Sequence, residues 1–297
     1  MVDRVLLRDL DAVATDAAPL SWARRVVGRR GGRPAHRLRV WAGRLLLVLI
    51  VGGAWELTAS RAWMNPVFIG RPSEIVSAFS RALHGPLLAV DARATVQSTL
   101  IGFALAAAAG IVVAVVLSRI QALEEIFQPL FTAMNSLPRV ALAPLFVMWF
   151  GVGALSKVAL AASLVFFVVL LNTMAGIQGV DRDHLILARA LGATPAQTFL
   201  KFTLPSAIPS IFAGLELGMI YGFLGTVAGE MLAGESGIGV RLQAYSGLFQ
   251  TNEFFAALLL LVLITTTIST ILRAVRVRLL WWQTLGIGQD SRGRKGS

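Results

Sequence analysis

The sequence predicts an all-α membrane protein with six transmembrane helices, from its composition, its low charge content and its runs of apolar residues. Hydrophobic residues make up 56% of the 297 residues and charged residues only 14%, whereas soluble domains carry roughly 25% charged residues. The mean hydropathy is +0.72. A chain of this length cannot bury so much apolar surface in a water-soluble core, so lipid must cover part of it. This composition excludes a soluble enzyme, a coiled coil and a disordered protein.

Six apolar stretches have the length of about 20 residues that crosses a bilayer. They run approximately over residues 41–60, 96–118, 127–150, 157–178, 207–232 and 254–275. The third contains three prolines and Arg139, so we expect a broken or kinked helix there, which lipid allows only where protein or water covers the freed backbone groups. Small residues between Gly102 and Gly110 predict close helix packing by the second span.

The basic residues are distributed as topology signals and not as one nucleic-acid-binding face. The net charge is +11, and residues 1–44 hold ten Arg and four Asp. With the amino terminus in the cytoplasm, all but seven of the 27 Lys and Arg residues are cytoplasmic, the exceptions being Arg61, Arg71, Arg81, Arg93, Arg139, Lys157 and Arg241. The positive-inside rule therefore predicts that both termini are cytoplasmic. We expect a basic tail at residues 1–40, a transmembrane domain at residues 41–282 and a second cytoplasmic tail at residues 283–297.

The segment between the fourth and fifth predicted spans has the chemistry of two short helices. Acids in residues 181–184 suit a helix start, and the helix continues over residues 185–191 to Gly192, which can end it. The Thr-Pro-Ala-Gln sequence of residues 194–197 predicts a capping box that starts a second helix, which Pro205 ends. This Gly-Ala elbow has more apolar surface than a solvated loop needs. It is either an ordinary interfacial loop or a docking site for another protein.

Motifs in and around this segment resemble the EAA loop of ABC importer permeases. The residues are Ala188-Arg189-Ala190-Leu191-Gly192-Ala193, followed by Leu204-Pro205-Ser206-Ala207-Ile208-Pro209-Ser210-Ile211-Phe212-Ala213-Gly214-Leu215. Further stretches look like the branch of that family that serves nitrate, sulfonates, taurine, bicarbonate and related solutes; they are Leu137-Pro138-Arg139-Val140-Ala141-Leu142-Ala143-Pro144, Trp149-Phe150-Gly151-Val152-Gly153, Asn172-Thr173-Met174-Ala175-Gly176, Gly229-Glu230-Met231 and Gly237-Ile238-Gly239. The resemblance covers roughly residues 45–282. Ile186-Leu187-Ala188 stands where the motif has Glu-Ala-Ala, so the acidic residue is absent.

The resemblance implies a type I ABC importer permease with cytoplasmic coupling helices, in the cell (inner) membrane. It implies two permease copies, two ATPase subunits bound at residues 181–205, and an external solute-binding protein. ATP and Mg²⁺ are then bound by the ATPase and no cofactor by this chain, which has no G-x-x-x-x-G-K-[ST] phosphate loop. The expected solute is a small anion such as a sulfonate, nitrate, taurine or bicarbonate. The residues expected to dock the ATPase are Ala188, Arg189, Ala190, Leu191, Gly192, Ala193, Thr194, Pro195, Gln197 and Pro205.

Six polar residues in the spans are candidates for the solute pathway, namely Asn135, Arg139, Asn172, Thr173, Glu216 and Glu230. Arg139, beside a helix break, either faces an anion, or pairs with an acid or reaches a water interface and never meets the solute. Glu216 forms either a salt bridge within the bundle or part of a dimer interface, and Glu230 lies either at the outer interface or in a gate. The three amide and hydroxyl residues either line the pathway or form interhelical hydrogen bonds.

The sequence leaves a second function open, a secondary transporter or channel that works without an ATPase. That class needs ion-coupling carboxylates near the midplane and usually an internal repeat, and we find no convincing repeat. No catalytic motif occurs, the chain has no Cys, and the three His residues are scattered. We therefore expect neither catalysis nor a metal site, and no nucleic-acid partner, because the Arg-rich tail lacks interleaved aromatic residues.

Overall fold

The computed structural model describes residues 34–61 and 65–280, and within these ranges every regular element is a helix. The elements are α1 (Pro34–Ser60), α2 (Pro66–Ile69), α3 (Pro72–His84), α4 (Pro86–Leu117), α5 (Gln121–Asn135), a 3₁₀ turn (Arg139–Leu142), α6 (Ala143–Phe150), α7 (Ala154–Gln178), α8 (Arg182–Ala190), α9 (Pro195–Thr198), a π-turn (Phe199–Thr203), α10 (Leu204–Ala233), α11 (Ile238–Gly247) and α12 (Thr251–Leu279). The described residues up to 58 and those from 59 onward belong to separate compact units, and the helical bundle described below belongs to the second. Residues 1–33 and 283–297 of the predicted tails lie outside the described residues, and residues 34–40 belong to α1.

Within the described ranges, five helical segments are long and apolar enough to cross a membrane. They are Arg39–Ser60, Ala89–Leu117, Ala154–Gln178, Pro195–Ala233 and Thr251–Leu279. Two further segments, Ala122–Asn135 and Arg139–Phe150, are bent by 77° at the intervening break and make a sixth span if the pair crosses the membrane as one. The prediction of a broken third span is therefore confirmed, and its cause is the Pro138 region, where the backbone leaves the α-helix.

Close contacts between α4, α7 and α10 form the centre of the bundle. A Cβ added at Gly102 or Gly110 of α4 would lie 2.9 Å from a carbonyl oxygen of α7, so the small residues of the second span do permit close packing. A second seam, which the sequence analysis missed, runs along α10 as Gly214, Gly218, Gly222, Gly225 and Gly229. There, a Cβ at Gly225 would lie 2.8 Å from the Cα of Ala161. At Gly102, Gly110 and Gly225 the backbone of α7 occupies the space of a side chain, whereas Gly218 and Gly222 face side chains of α7.

The prediction that Pro205 ends the second short helix is wrong. Helical structure runs without a break from Pro195 to Ala233, because a π-turn precedes the proline and Leu204 donates its N–H to the carbonyl oxygen of Phe199. Pro205 then occupies the first turn of α10, where its missing N–H is tolerated. The elbow is consequently one short helix, α8, joined to an extension of the long helix.

Candidate functional site: the elbow and the polar residues of the bundle

The first half of the elbow, which we define as residues 181–203, begins and ends as the sequence predicts. The Asp181 carboxylate accepts a hydrogen bond from the backbone N–H of Asp183 at 3.0 Å. Gly192 has φ +73°, a conformation that costs other residues about 1–2 kcal/mol. The N–H of Ala193 donates to the carbonyl oxygen of Ala188 and that of Gly192 to the carbonyl oxygen of Arg189, both at 3.0 Å. This pair of bonds is the Schellman motif, which closes the end of α8.

The second half of the elbow begins with the predicted capping box. The N–H of Gln197 donates to the Thr194 hydroxyl at 3.3 Å, and the N–H of Thr194 donates to the Gln197 side-chain oxygen at 3.0 Å. Pro195 occupies the first helical position. Both helix ends of the elbow are therefore satisfied locally, so its shape does not depend on a partner.

The outer surface of the elbow is apolar and exposed. Its large exposed side chains are Ile186, Leu187, Leu191 and Leu200. Most of the predicted docking residues are exposed beside them, namely Arg189, Ala190, Gly192, Thr194, Pro195 and Gln197, while Ala193 is half-buried. A Cβ added at Gly192 would meet no atom within 4 Å, so open space surrounds the turn.

Buried residues attach the elbow to the bundle. Ala188 is fully buried on the inner side of α8, and Phe199 is buried at the start of the π-turn. The guanidinium carbon of Arg119, in the connection between α4 and α5, lies 3.6 Å from the centre of the Phe199 ring, within cation–π distance. Pro205, also predicted to dock, is half-buried in the first turn of α10.

Arg139 is buried and fully hydrogen-bonded inside the chain. Its guanidinium donates to the carbonyl oxygens of Met134 at 3.2 Å and Ser163 at 3.0 Å, and to the side-chain oxygen of Asn135 at 2.7 Å. It also stacks on Phe167 at 4.3 Å. No acidic side chain of the described residues lies within salt-bridge distance of Arg139, so the alternative that it pairs with an acid is wrong. Arg139 joins the end of α5 to α7 across the helix break, and that it faces an anion stays a prediction.

A cavity of about 320 Å³ lies at this break. Its lining includes Asn135, Arg139 and Tyr221 among apolar side chains such as Leu164 and Val168. Two of the six pathway candidates, Asn135 and Arg139, therefore lie at one cavity. The other four do not line it.

Asn172 and Thr173 bond to their own helix. The Asn172 amide donates to the carbonyl oxygen of Val168 at 2.8 Å, and the Thr173 hydroxyl donates to that of Val169 at 2.7 Å. Thr173 is fully buried. The prediction of interhelical hydrogen bonds is wrong for both residues, because these bonds run to backbone acceptors one turn earlier in α7. Pathway lining stays a prediction for both.

Glu216 forms the salt bridge that was one of its two predicted roles. Its carboxylate lies 3.2 Å from Arg276 and 3.9 Å from Arg273, both on α12. This pair joins α10 to α12.

Glu230 is completely buried near the carboxyl-terminal end of α10, and its predicted place at the outer interface or in a gate stays a prediction. Its carboxylate accepts hydrogen bonds from the Thr95 hydroxyl at 2.9 Å, the Gly239 backbone N–H at 2.9 Å and the Lys157 ammonium at 3.3 Å. Lys157, which the charge distribution had left outside or within a span, is also buried and donates to the carbonyl oxygen of Ser236 at 2.8 Å. A buried charge survives only when it is paired and hydrogen-bonded in this way.

The same group of residues extends to α11. Asp91 accepts from the backbone N–H of Gly237 at 3.0 Å and from Arg241 at 2.6 Å, and the Thr95 hydroxyl accepts from the N–H of Ile238 at 2.9 Å. The hydrogen bond to Asp91 raises the pKa of Arg241 above its ordinary value. We call Asp91, Thr95, Lys157, Glu230 and Arg241 the polar cluster. It connects α4, α7 and α10 to the first turn of α11.

Four residues of the polar cluster were missed as functional candidates, namely Asp91, Thr95, Lys157 and Arg241. A usable signal was present: a lysine and a glutamate in separate apolar stretches each require a partner, and the simplest partner is the other.

The fold and the elbow define a class of protein, a membrane-spanning bundle with an exposed apolar docking segment between two of its spans. The chain belongs to the family of binding-protein-dependent transport system inner membrane components, whose family model matches residues 101–280. It is the permease subunit of an ATP-driven importer, with the expected all-α type I importer fold. This family does not support the alternative of a transporter working without an ATPase.

Relatives with different solutes in their names are similar to the chain. It is 27% identical over 251 residues to a Bacillus subtilis protein named for aliphatic sulfonates transport, SsuC, covering 84% of this chain and 91% of that protein. It is 32% identical over 239 residues to the riboflavin transport system permease protein RibX of Chloroflexus aurantiacus, covering 80% and 88%. It is 29% identical over 246 residues to the taurine transport system permease protein TauC of Escherichia coli, covering 81% and 88%.

Solved structures share the fold. An amino acid ABC transporter chain matches with a TM-score of 0.53 and 18% identity, over 67% of this chain and 95% of that one. The MetNI methionine ABC transporter in an inward-facing conformation matches with a TM-score of 0.50 and 17% identity, over 72% and 97%.

Proposed function

We propose that the elbow binds an ATPase subunit and is the point at which ATP-driven motion reaches the bundle. The observation that supports this is the exposed apolar surface of Ile186, Leu187, Leu191 and Leu200 on a backbone fixed at both helix ends. A preformed apolar surface loses little conformational entropy when a partner covers it. Because Ile186 replaces the acidic residue of the family motif, this contact depends on apolar packing and not on a carboxylate.

The proposal includes the rest of an importer assembly. Both termini and the elbow are cytoplasmic by the positive-inside rule. A second permease copy completes the pathway, ATP and Mg²⁺ are bound by the ATPase, and an external binding protein delivers the solute.

The proposed solute is a small anion, and sulfonates are the first choice. Two of the three relatives described above carry a sulfonate in their names, since taurine is itself an aminosulfonate. In this chain the supporting observation is the charge of Arg139 at the cavity, which has no acidic side chain within salt-bridge distance in the described ranges. In surroundings of low dielectric such a charge attracts an anion even though its N–H groups are occupied.

Docking is tested with two glycine positions that share a positive φ. Gly192 (φ +73°) and Gly151 (φ +77°) are exposed, and an added Cβ would meet nothing at either. Proline cannot adopt a positive φ, so Gly192→Pro should abolish co-purification of the ATPase while the chain still inserts, and Gly151→Pro should retain it. Equal loss in both variants would contradict a docking role for the elbow.

The solute is tested in liposomes with the permease, its ATPase and its binding protein. Taurine and alkanesulfonates should stimulate ATP hydrolysis, with nitrate and bicarbonate as competing anions. Stimulation by riboflavin alone would overturn the anion proposal and leave the docking proposal intact.

A further inference from the structure

Two turns at the end of the bundle that carries the polar cluster are fixed to one another. The Thr251 hydroxyl donates to the carbonyl oxygen of Val67. The Asn252 side chain accepts from the N–H of Arg71 at 2.9 Å and donates to Glu74 at 2.6 Å. Residues 65–70 and 248–252, which we call the paired turns, therefore behave as one unit.

The paired turns present an apolar surface that nothing in the described part of the chain covers. Its members are Val67, Phe68, Leu248 and Phe249, all exposed. The rings of Phe68 and Phe249 meet edge to face, with centres 6.1 Å apart. Phe249 has φ +54°, which is a strained backbone conformation for a bulky residue. The ring of this strained residue is exposed and not buried in the bundle.

The position of α12 puts this surface at a defined depth. The helix has 29 residues, so it is about 43 Å long, the thickness of the hydrocarbon plus both headgroup layers. Its first residue, Thr251, therefore lies in a headgroup layer, and Phe249 precedes it by two residues. On α12 itself, exposed apolar side chains begin at Leu259 and include Val262 and Leu263.

We propose that the paired turns are an interfacial lipid-binding surface that anchors the start of α12 in the headgroup layer. Aromatic side chains are enriched at this depth, where a flat apolar ring can lie between headgroups and acyl chains. The predicted depth of this surface, together with the exposed apolar side chains farther along α12 from Leu259 onward, favours lipid over a protein as its occupant. A cavity of about 270 Å³ beside the turns, lined by Phe68, Phe249, Phe254 and Phe255, provides space for an apolar group.

The absence of Cys allows single nitroxide labels in the full chain, reconstituted in liposomes of phosphatidylethanolamine and phosphatidylglycerol. Three leucines with 67%, 72% and 53% exposure are compared, Leu248→Cys in the paired turns, Leu191→Cys in the elbow and Leu263→Cys within α12. The ratio of oxygen to polar nickel chelate collisions should be about tenfold higher at 248 than at 191, because a polar solute is excluded from the apolar layer. It should approach the ratio at 263.

Water, a second copy of the chain and the binding protein would each give a different result for the label at position 248. Equal nickel access at 248 and 191 would overturn the proposal, as would dipolar broadening between labels at 248, which indicates a second copy. Immobilisation of that label only after the purified binding protein is added would also overturn it. Phe249→Asn, which tolerates the left-handed backbone, should move the label at 248 toward the value of water. The label at 191 reports on the elbow alone, so failure of the docking proposal is distinguishable.

Discussion

The elbow and the polar cluster lie at opposite ends of α7, and different groups hold each in place. In the elbow, backbone caps fix the chain and leave apolar side chains in the open. In the polar cluster, side chains satisfy one another and the backbone of the α10–α11 turn, and only Arg241 is partly exposed. Substitutions in the cluster should therefore lower the stability of the fold, whereas substitutions in the elbow should mainly weaken an association.

The largest expected loss of stability comes from replacing a glycine beside the polar cluster, compared with replacing a glycine in the elbow. Gly237 and Gly192 both have a positive φ, but a Cβ at Gly237 would lie 2.1 Å from the Glu230 carboxyl, and one at Gly192 would meet nothing. Gly237→Ala should cost more than about 4 kcal/mol, since the buried acid cannot move away from its three donors. Gly192→Ala should cost about 1–2 kcal/mol.

Thermal unfolding of the detergent-solubilised chain measures this difference. Gly237→Ala should yield little monodisperse protein, and Gly192→Ala a small decrease in the melting temperature. Similar melting temperatures for both variants would show that the cluster does not hold the α10–α11 turn.

The next effect concerns the two ion pairs of α10. Glu230→Gln leaves the Lys157 ammonium buried without its carboxylate and should cost about 3–5 kcal/mol. Glu216→Gln is the matched control, because its partner Arg276 is one-third exposed, and it should cost under about 1 kcal/mol. In a double-mutant cycle, Lys157→Met combined with Glu230→Gln should recover part of the loss. No recovery would mean that the ammonium is not the source of the cost.

Local chemistry explains which of these features the sequence predicts. The cap at Asp181, the turn at Gly192 and the capping box at Thr194 each involve residues within five positions of one another, so residue type alone identifies them. The membrane spans are equally easy to predict from the sequence, because mean hydropathy is calculated over a short window of the chain.

Long-range partners explain what the sequence does not predict. Lys157 and Glu230 are 73 residues apart, and Asp91 and Arg241 are 150 apart, so only the fold brings them together. The donors of Arg139 pair mainly with backbone carbonyl oxygens, which carry no residue-specific signal. Residue type also fails to predict the π-turn that continues the helix up to Pro205.

Two substitutions of Arg139 distinguish its packing role from the effect of its charge at the cavity. Arg139→Gln loses the charge and several charge-assisted hydrogen bonds, each worth about 1.5–3 kcal/mol, so stability and solute-stimulated ATP hydrolysis should both fall. Arg139→Lys keeps the charge but not the planar contact with several carbonyls. If the charge attracts the solute, Arg139→Lys should be less stable yet keep solute stimulation in the molecules that fold. Equal loss of stimulation in both variants at matched amounts of folded protein would leave Arg139 a packing residue only.

The smallest effect is expected at the capping box of the elbow. Thr194→Ala with Gln197→Ala removes both reciprocal hydrogen bonds, and losing an N-cap costs about 1 kcal/mol. Because these residues are exposed, the helix ends can hydrogen-bond to water instead, so the melting temperature should hardly change. The elbow must then be ordered by the ATPase, and its affinity should fall by roughly fivefold, measured by titrating the ATPase onto the chain in nanodiscs. Thr194→Ser should restore most of the affinity, because a serine hydroxyl caps as well as that of threonine. Unchanged affinity in the double variant would mean that the elbow acquires its shape from the ATPase. The contrast between the backbone caps of the elbow and the side-chain contacts of the polar cluster would then hold only for the free chain.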